Sequence, residues 1–303
     1  MDGTPVKNIA AISTAVVIVT AWPVSLSRAQ EAKATGTTSS VHEIGRTTER
    51  QLSVVLSSSF GSVSVIPGQP EKILVVQNLK GDATDTYSLD YAIRNRVGYL
   101  DVNFGEPESR VEGGETNRTV TAFQQGPWAL QFSPDVPLSL DVELGIGKGE
   151  FRLGGLQVRD FTLSTGASDV TLSFDTPNVG TIDNINIESG LSRFQARNLG
   201  NANFKHLRFQ GGVGSYLLDF SGNLTSEVDV DLEVGLGVVT VVIPSDVGAR
   251  IVYDETWMSS IDLDPDFRTA GDNIYTSSNL GTATGRMNLR VNSGVGSVKV
   301  RRR

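Results

Sequence analysis

Seven stretches of the chain share one alternation of apolar and polar residues, broken in the middle by small residues. They are "SVVLSSSFGSVSV" from Ser53, "DVELGIGKGEFRL" from Asp141, "DFTLSTGASDVTL" from Asp160, "NINIESGLSRFQA" from Asn184, "HLRFQGGVGSYLL" from His206, "DVDLEVGLGVVTV" from Asp229 and "NLRVNSGVGSVKV" from Asn288. Aligned on Ser59, Gly147, Gly166, Gly190, Gly212, Gly235 and Gly294, they are apolar five and three positions before the anchor and four and six positions after it. Two positions after the anchor stands Gly or Ser in every copy. Apolar residues at every second position predict half-buried strands.

The apolar set falls on odd offsets before the anchor and on even offsets after it. A regular strand cannot keep both sets on one face, because a slip of one residue sends every side chain to the other side. The small residues must therefore form an elbow that absorbs the phase change through a bend or bulge. The five central anchors recur every 19 to 24 residues. This is the period of one coil in a β-solenoid, where each unit buries its apolar face only by stacking on its neighbours. The expected fold is all-β, a parallel β-helix-like solenoid of about 20–24-residue coils, with a β-sandwich of hairpins as the alternative. The repeat assigns residues 138–249 to the solenoid, 51–137 to an N-terminal β capping region and 250–303 to closing strands, the last of which ends the stack. Polar residues 30–50 read as a flexible lead-in, and "GEPESRVEGGETNRT" as an exposed loop.

Charge narrows the partners. The 303 residues carry a formal net charge of -8 with a sequence pI near 4.9, which argues against a phosphate-backbone partner. Arg301, Arg302 and Arg303 form the one basic cluster and read as a solvated tail. With no cysteine, disulfides, thiolate metal sites and a lipid-modified cysteine are all excluded. Near the N-terminus Lys7 precedes an apolar run from Ile9 to Trp22, and Ser27 and Ala29 fit a signal-peptidase site ahead of Gln30. The run is shorter than the roughly 20 residues of a membrane span. Residues 1–29 are thus expected to be a cleaved signal peptide, leaving no stable span and sending the chain to the periplasm, the cell surface or beyond.

Candidate chemistry is sparse. Only His42 and His206 are present, the first in the lead-in and the second beside a strand, and no G-x-S-x-G elbow accompanies them. "GIGKGE" and "GLGVVT" are rich in glycine, but β-branched strands follow them instead of the helix a phosphate loop needs. Asp262, Asp264 and Asp266 alternate as calcium ligands do, yet Phe267 and Asn273 stand where an EF-hand loop requires Gly and Glu. Glu227, Asp229, Asp231 and Glu233 alternate with apolar residues and fall on the solvent face of a strand. Trp128 lies in a strand pattern and Trp257 follows "YDET", neither beside an acidic-aromatic cluster. No residue is assigned a catalytic, cofactor-binding or metal role.

The stretch "PWALQFSPDVPLSLDVELGIGKGEFRLGGLQVRDFTLSTGASDVTLSF", with Trp128, the "PDVPLSLDVELGIG" entry and the "LGGLQV" step, closely resembles bacterial toast-rack envelope proteins. From "GLGVVTVVIPSDVGARI" to "NSGVGSVKVRRR" the chain is similar to the C-terminal β domain of LiaF-like cell-wall-active antibiotic-response proteins. Together the likenesses span residues 51 to 303. They imply an envelope β protein without a recognised active site. LiaF-like proteins carry several N-terminal membrane spans, whereas this chain has only the signal-like segment. The function expected is a non-catalytic scaffold or binding module that meets an envelope protein or glycan, linked to envelope stress, with self-association open to it. The alternative is a carbohydrate-active β-helix enzyme.

Overall fold

The computed structural model describes residues 32–36, 41–79, 87–105, 127–254 and 256–303. Strands are numbered β1 to β17 in chain order. Seven long ones carry the repeat: β3 (Gln51–Pro67), β8 (Pro137–Arg152), β9 (Gln157–Ser173), β10 (Ile182–Arg197), β11 (Phe204–Asp219), β12 (Glu227–Ile243) and β17 (Arg286–Arg302). Each pairs in parallel with the next, in the order just given, and the pairing runs on through the elbow. Antiparallel hairpins of a sandwich are therefore ruled out for the repeat, and the solenoid stands.

Burial follows the predicted phase. In β9, Phe161, Leu163 and Thr165 are buried before the elbow, and Ser168, Val170 and Leu172 after it. Between them Gly166 and Ala167 both face outward, and this pair of consecutive outward residues is the phase change itself. The two halves of each rung fold toward one another over the core. Phe209, before an elbow, packs edge-on to Tyr216 after it at 5.1 Å, and Phe194 of the neighbouring rung lies 5.2 Å from Phe209. Opposite the elbows, the corners are tied by asparagines. The Asn178 side chain accepts from the Val158 amide at 2.8 Å and donates to its carbonyl at 3.0 Å.

One anchor moves. Gly61 lies opposite Gly147, and Ile146 opposite Ala167, so the elbow of β8 starts at Gly145 rather than Gly147. In "LGIGKG" glycines stand at every second position, so an alignment on small residues alone fits two registers. The true register leaves Gly149 in the column of Val170 and Phe194, where the Leu144 and Phe151 side chains crowd the position its own Cβ would take.

Both ends fold back symmetrically. At the N-terminal end β6 (Val97–Phe104) and β7 (Pro127–Phe132) lie parallel to the two halves of β3. Antiparallel β5 (Tyr87–Arg94) and β4 (Lys72–Asn78) extend them, followed by β1 (Ala32–Gly36) and β2 (Val41–Gly45). The 30–50 lead-in, expected to be flexible, thus supplies two paired strands, and its Glu49 is buried against the Tyr91 hydroxyl. At the C-terminal end β13 (Gly248–Asp254) and β14 (Ser259–Leu263) lie on the two halves of β17, and β16 (Ile274–Ser277) pairs with β13 and β15 (Phe267–Gly271). The final strand does not close the stack as expected, since β17 is an inner rung between β12 and the β13–β14 coil. The signal-like segment and the loop from Glu106 to Thr119 fall outside the described residues.

Candidate binding edge along the elbows

Two parallel rows follow from the outward pair at each elbow. The first outward residue is Ser or Gly: Ser59, Gly145, Gly166, Gly190, Gly212, Gly235 and Gly294. Lacking bulk, this column opens a groove of about 920 Å³ whose rim, from β3 to β12, is Ser57, Glu143, Ser164, Glu188, Gln210 and Glu233. The second outward residue is apolar in every rung: Phe60, Ile146, Ala167, Leu191, Val213, Leu236 and Val295 stand opposite one another in succession. Met258 extends the row, because its carbonyl accepts the Gly296 amide at 3.1 Å and its successor Ser259 pairs with Gly296. At parallel-strand spacing the eight positions form a ridge about 34 Å long.

Five of the eight ridge residues, Ile146, Leu191, Val213, Leu236 and Met258, are exposed, and Phe60, Ala167 and Val295 are partly so. Leu191 keeps 63% of its surface and Trp257, beside Met258, keeps 91%. Single exposed aliphatics are ordinary, but a contiguous exposed row marks an interaction surface. Beneath it the buried hydroxyls of Thr165 and Ser189 are 3.2 Å apart, and Ser189 also bonds Ser192.

Several carboxylates away from the groove have partners: Asp229 faces His206 at 3.4 Å, Asp231 faces Arg290 at 3.6 Å and Asp183 faces Lys205 at 2.6 Å. On the groove rim Glu233 accepts from Gln210 at 3.0 Å, whereas Glu143 and Glu188 have no ion pair among the described residues. The groove lining holds three glutamates and neither Lys nor Arg.

The residues singled out in the sequence land elsewhere. His206 sits in an open strand column between Asn184 and Asp229, with no serine beside it in the stack, and His42 lies in β2 near Tyr87. The alternating Glu227, Asp229, Asp231 and Glu233 do face solvent, bridged by Asn288 at 3.0 and 3.1 Å from the first two. Trp128 is buried in the N-terminal cap, stacked on Phe104 at 4.8 Å.

Two features taken separately in the sequence meet in space. Arg301 bonds Asp262 and lies 3.5 Å from Asp264, while Arg302 Nε lies 2.9 Å from Asp266. Arg301 and Arg302 are therefore no solvated tail, while Arg303 stays exposed. The Arg302 side chain is only 9% exposed, donates to the carbonyls of Val247 and Ser245, and covers the Phe267 ring. The bond from Arg301 holds the Asp262 carboxyl below its usual range. Among the described residues no cluster of three metal-ligating side chains occurs.

The signal for the ridge is present in the sequence: the residue between the two small ones of each elbow is Phe, Ile, Ala, Leu, Val, Leu or Val.

Among curated proteins none matches the chain. A solved structure described as a candidate cell adhesion protein from Clostridium sporogenes is similar at 18% identity, covering 91% of this chain and all of the other, with a TM-score of 0.42. A candidate adhesin from Bacteroides fragilis is similar at 11% identity, covering 87% of this chain and 98% of the other, with a TM-score of 0.33. The family described as the N-terminal domain of toast_rack matches residues 30–196. Spanning more than half of the chain and every elbow from Ser59 to Gly190, that match makes this protein a member of the toast-rack family.

Proposed function

We propose that the protein is an exported envelope binding module, without catalytic activity, that holds an extended partner along its elbow edge. The observation that carries this reading is the apolar ridge, continuous over eight positions, exposed at Ile146, Leu191, Val213, Leu236 and Met258, and flanked along six rungs by a groove. A solenoid rung needs only one apolar face for stability, so a second apolar column kept in solvent serves something other than folding. The signal-like N-terminus supports export, and no helix among the described residues is long and apolar enough to cross a membrane.

The carbohydrate-active reading gains less support. Glutamates on alternate rungs stand about 9.6 Å apart, close to the separation an inverting glycosidase uses. All three are exposed alike, so burial sets none apart as the acid, and the groove lining contains no aromatic ring on which a sugar would stack.

The test is retention of envelope components by the full chain and by its Leu191→Ser/Leu236→Ser variant. Substitutions of exposed side chains should leave the melting curve within about 0.5 kcal/mol of the parent, while retention of a specific partner falls at least tenfold. Equal retention by a folded variant would remove the ridge from the binding surface.

A further inference from the structure

Resting on that reading of the elbow edge, we infer its ligand class: a basic polypeptide segment in polyproline II conformation, with Lys or Arg at every third residue, lying along the ridge. The ridge supplies apolar contact, and its two flanks differ in charge: the far side carries exposed Lys148, Asp169 and Arg193 in succession, whereas the groove side carries carboxylates and no cation, and the segment lies on the groove side. Glu143, Glu188 and Glu233 stand on β8, β10 and β12, so one carboxylate recurs every second rung, while Ser164 and Gln210 occupy the rungs between. Two rungs measure about 9.6 Å. A polyproline II chain repeats its face every three residues, about 9.3 Å. The two periods drift by less than 1 Å over three carboxylates, so one straight segment presents a cation to each glutamate in turn. Its intervening residues then lie against Ile146, Leu191, Val213 and Leu236, all exposed.

Other occupants fit less well. A glycan lacks an aromatic platform in the groove lining. An anionic membrane or nucleic acid is disfavoured by the net charge of -8 together with the glutamate row. A second copy would meet this ridge apex to apex along a strip about one residue wide, well short of the roughly 1,200 Å² of a stable interface. An added β-strand is also disfavoured, because the backbone groups at the elbow already pair between rungs.

The experiment measures binding of the synthetic peptide acetyl-(Lys-Pro-Val)4-amide to the full chain. Its comparators are an isomer of the same composition with all four lysines at one end and the charge-inverted (Glu-Pro-Val)4. Saturable binding that weakens at least tenfold between 50 and 500 mM salt is expected, with the isomer at least tenfold weaker and the glutamate peptide silent. The Glu143→Gln/Glu188→Gln/Glu233→Gln variant should bind about 30-fold more weakly, at about threefold per exposed charge pair. Glu188→Gln alone, which keeps two of the three, should lose about threefold and serves if the triple variant does not fold. Equal binding by the isomer, or undiminished binding by the folded variants, overturns the register argument. Failure of every peptide on folded protein overturns the ligand class, while loss of extract retention in the Leu191→Ser/Leu236→Ser variant would still uphold the binding edge.

Discussion

Replacing Gly237 by alanine tests the packing that generates the elbow edge. Gly237 is the second small residue of the β12 elbow and adopts a φ of 153°. A Cβ there would run into the carbonyl oxygen of Gly214 and lie 3.2 Å from its amide nitrogen. Both contacts are to backbone of the adjacent rung, which is itself fixed on β10 by the same parallel ladder. Neither atom swings aside as a flexible side chain would. A non-glycine residue in this region costs about 1–3 kcal/mol, and overpacking against fixed atoms adds a further 1–3 kcal/mol. A loss near 3–4 kcal/mol is expected once partial relaxation is allowed. With a urea slope of about 3 kcal/mol per molar for a chain this long, the midpoint should fall by about 1 M. The control is Gly281→Ala, where nothing lies within 4 Å of the new methyl, and its midpoint should not move. Urea unfolding followed by far-ultraviolet circular dichroism measures both. If Gly237→Ala unfolds within about 0.2 M of the parent, the glycine is not required by the neighbouring carbonyl and the account of the elbow fails.

Other expectations concern the two caps and the tryptophans. Arg302→Ala should cost about 2–4 kcal/mol by freeing Asp266 and the Phe267 ring, and hydrogen exchange should rise in β13 to β16 before it rises in β8 to β12. Millimolar calcium should leave the melting temperature unchanged, because Asp262, Asp264 and Asp266 already face arginines. Burial pushes the Glu49 carboxyl up, but bonds from Tyr91 and Thr47 outweigh it and leave the group below its usual range. Its stabilisation is therefore complete above about pH 4.3 and lost as pH falls through the lower folded value. In Tyr91→Phe the missing bond should raise the acid midpoint of the N-terminal cap, which tryptophan emission from Trp128 would report. Acrylamide should quench Trp257, which is 91% exposed, and spare Trp128, which is 3% exposed.

Much of the fold was legible because its physics is local and repeated. Val170, Phe194, Tyr216, Val239 and Val298 occupy one column in sequence and one column in space, since parallel stacking in register turns a periodic pattern into a ladder. Legibility ended where pairing is not local. Nothing in the sequence of β17 distinguishes an inner rung from a closing one, for it buries the same face either way. What decides is that β13 and β14 reach it first from the other side, with Arg302 and Asp266 locking the return. The lead-in failed for a related reason. "VHEIG" is too short and polar to announce a strand, and it becomes one because β4 offers an unpaired edge.

The binding edge is tied to the fold by the same phase change. Carrying a strand around an apex while keeping its apolar face inward demands two consecutive outward residues. One of them must be nearly bare, because the neighbouring rung's carbonyl stands 2.7 Å from where a Cβ of Gly212 would be. The other is free to carry any side chain, since it projects into solvent. Free positions on a β surface ordinarily drift toward charged and polar residues, as the columns holding Asn184, His206 and Asp229 do. The second elbow position instead holds Phe, Ile, Ala, Leu, Val, Leu and Val through seven rungs. Local folding physics asks for the glycine but not for the leucine beside it. If the aliphatics served the elbow, Leu191→Ser would lower stability; if they serve a ligand, it would leave stability alone and weaken binding. Measuring the melting curve and peptide binding on the same variant separates the two.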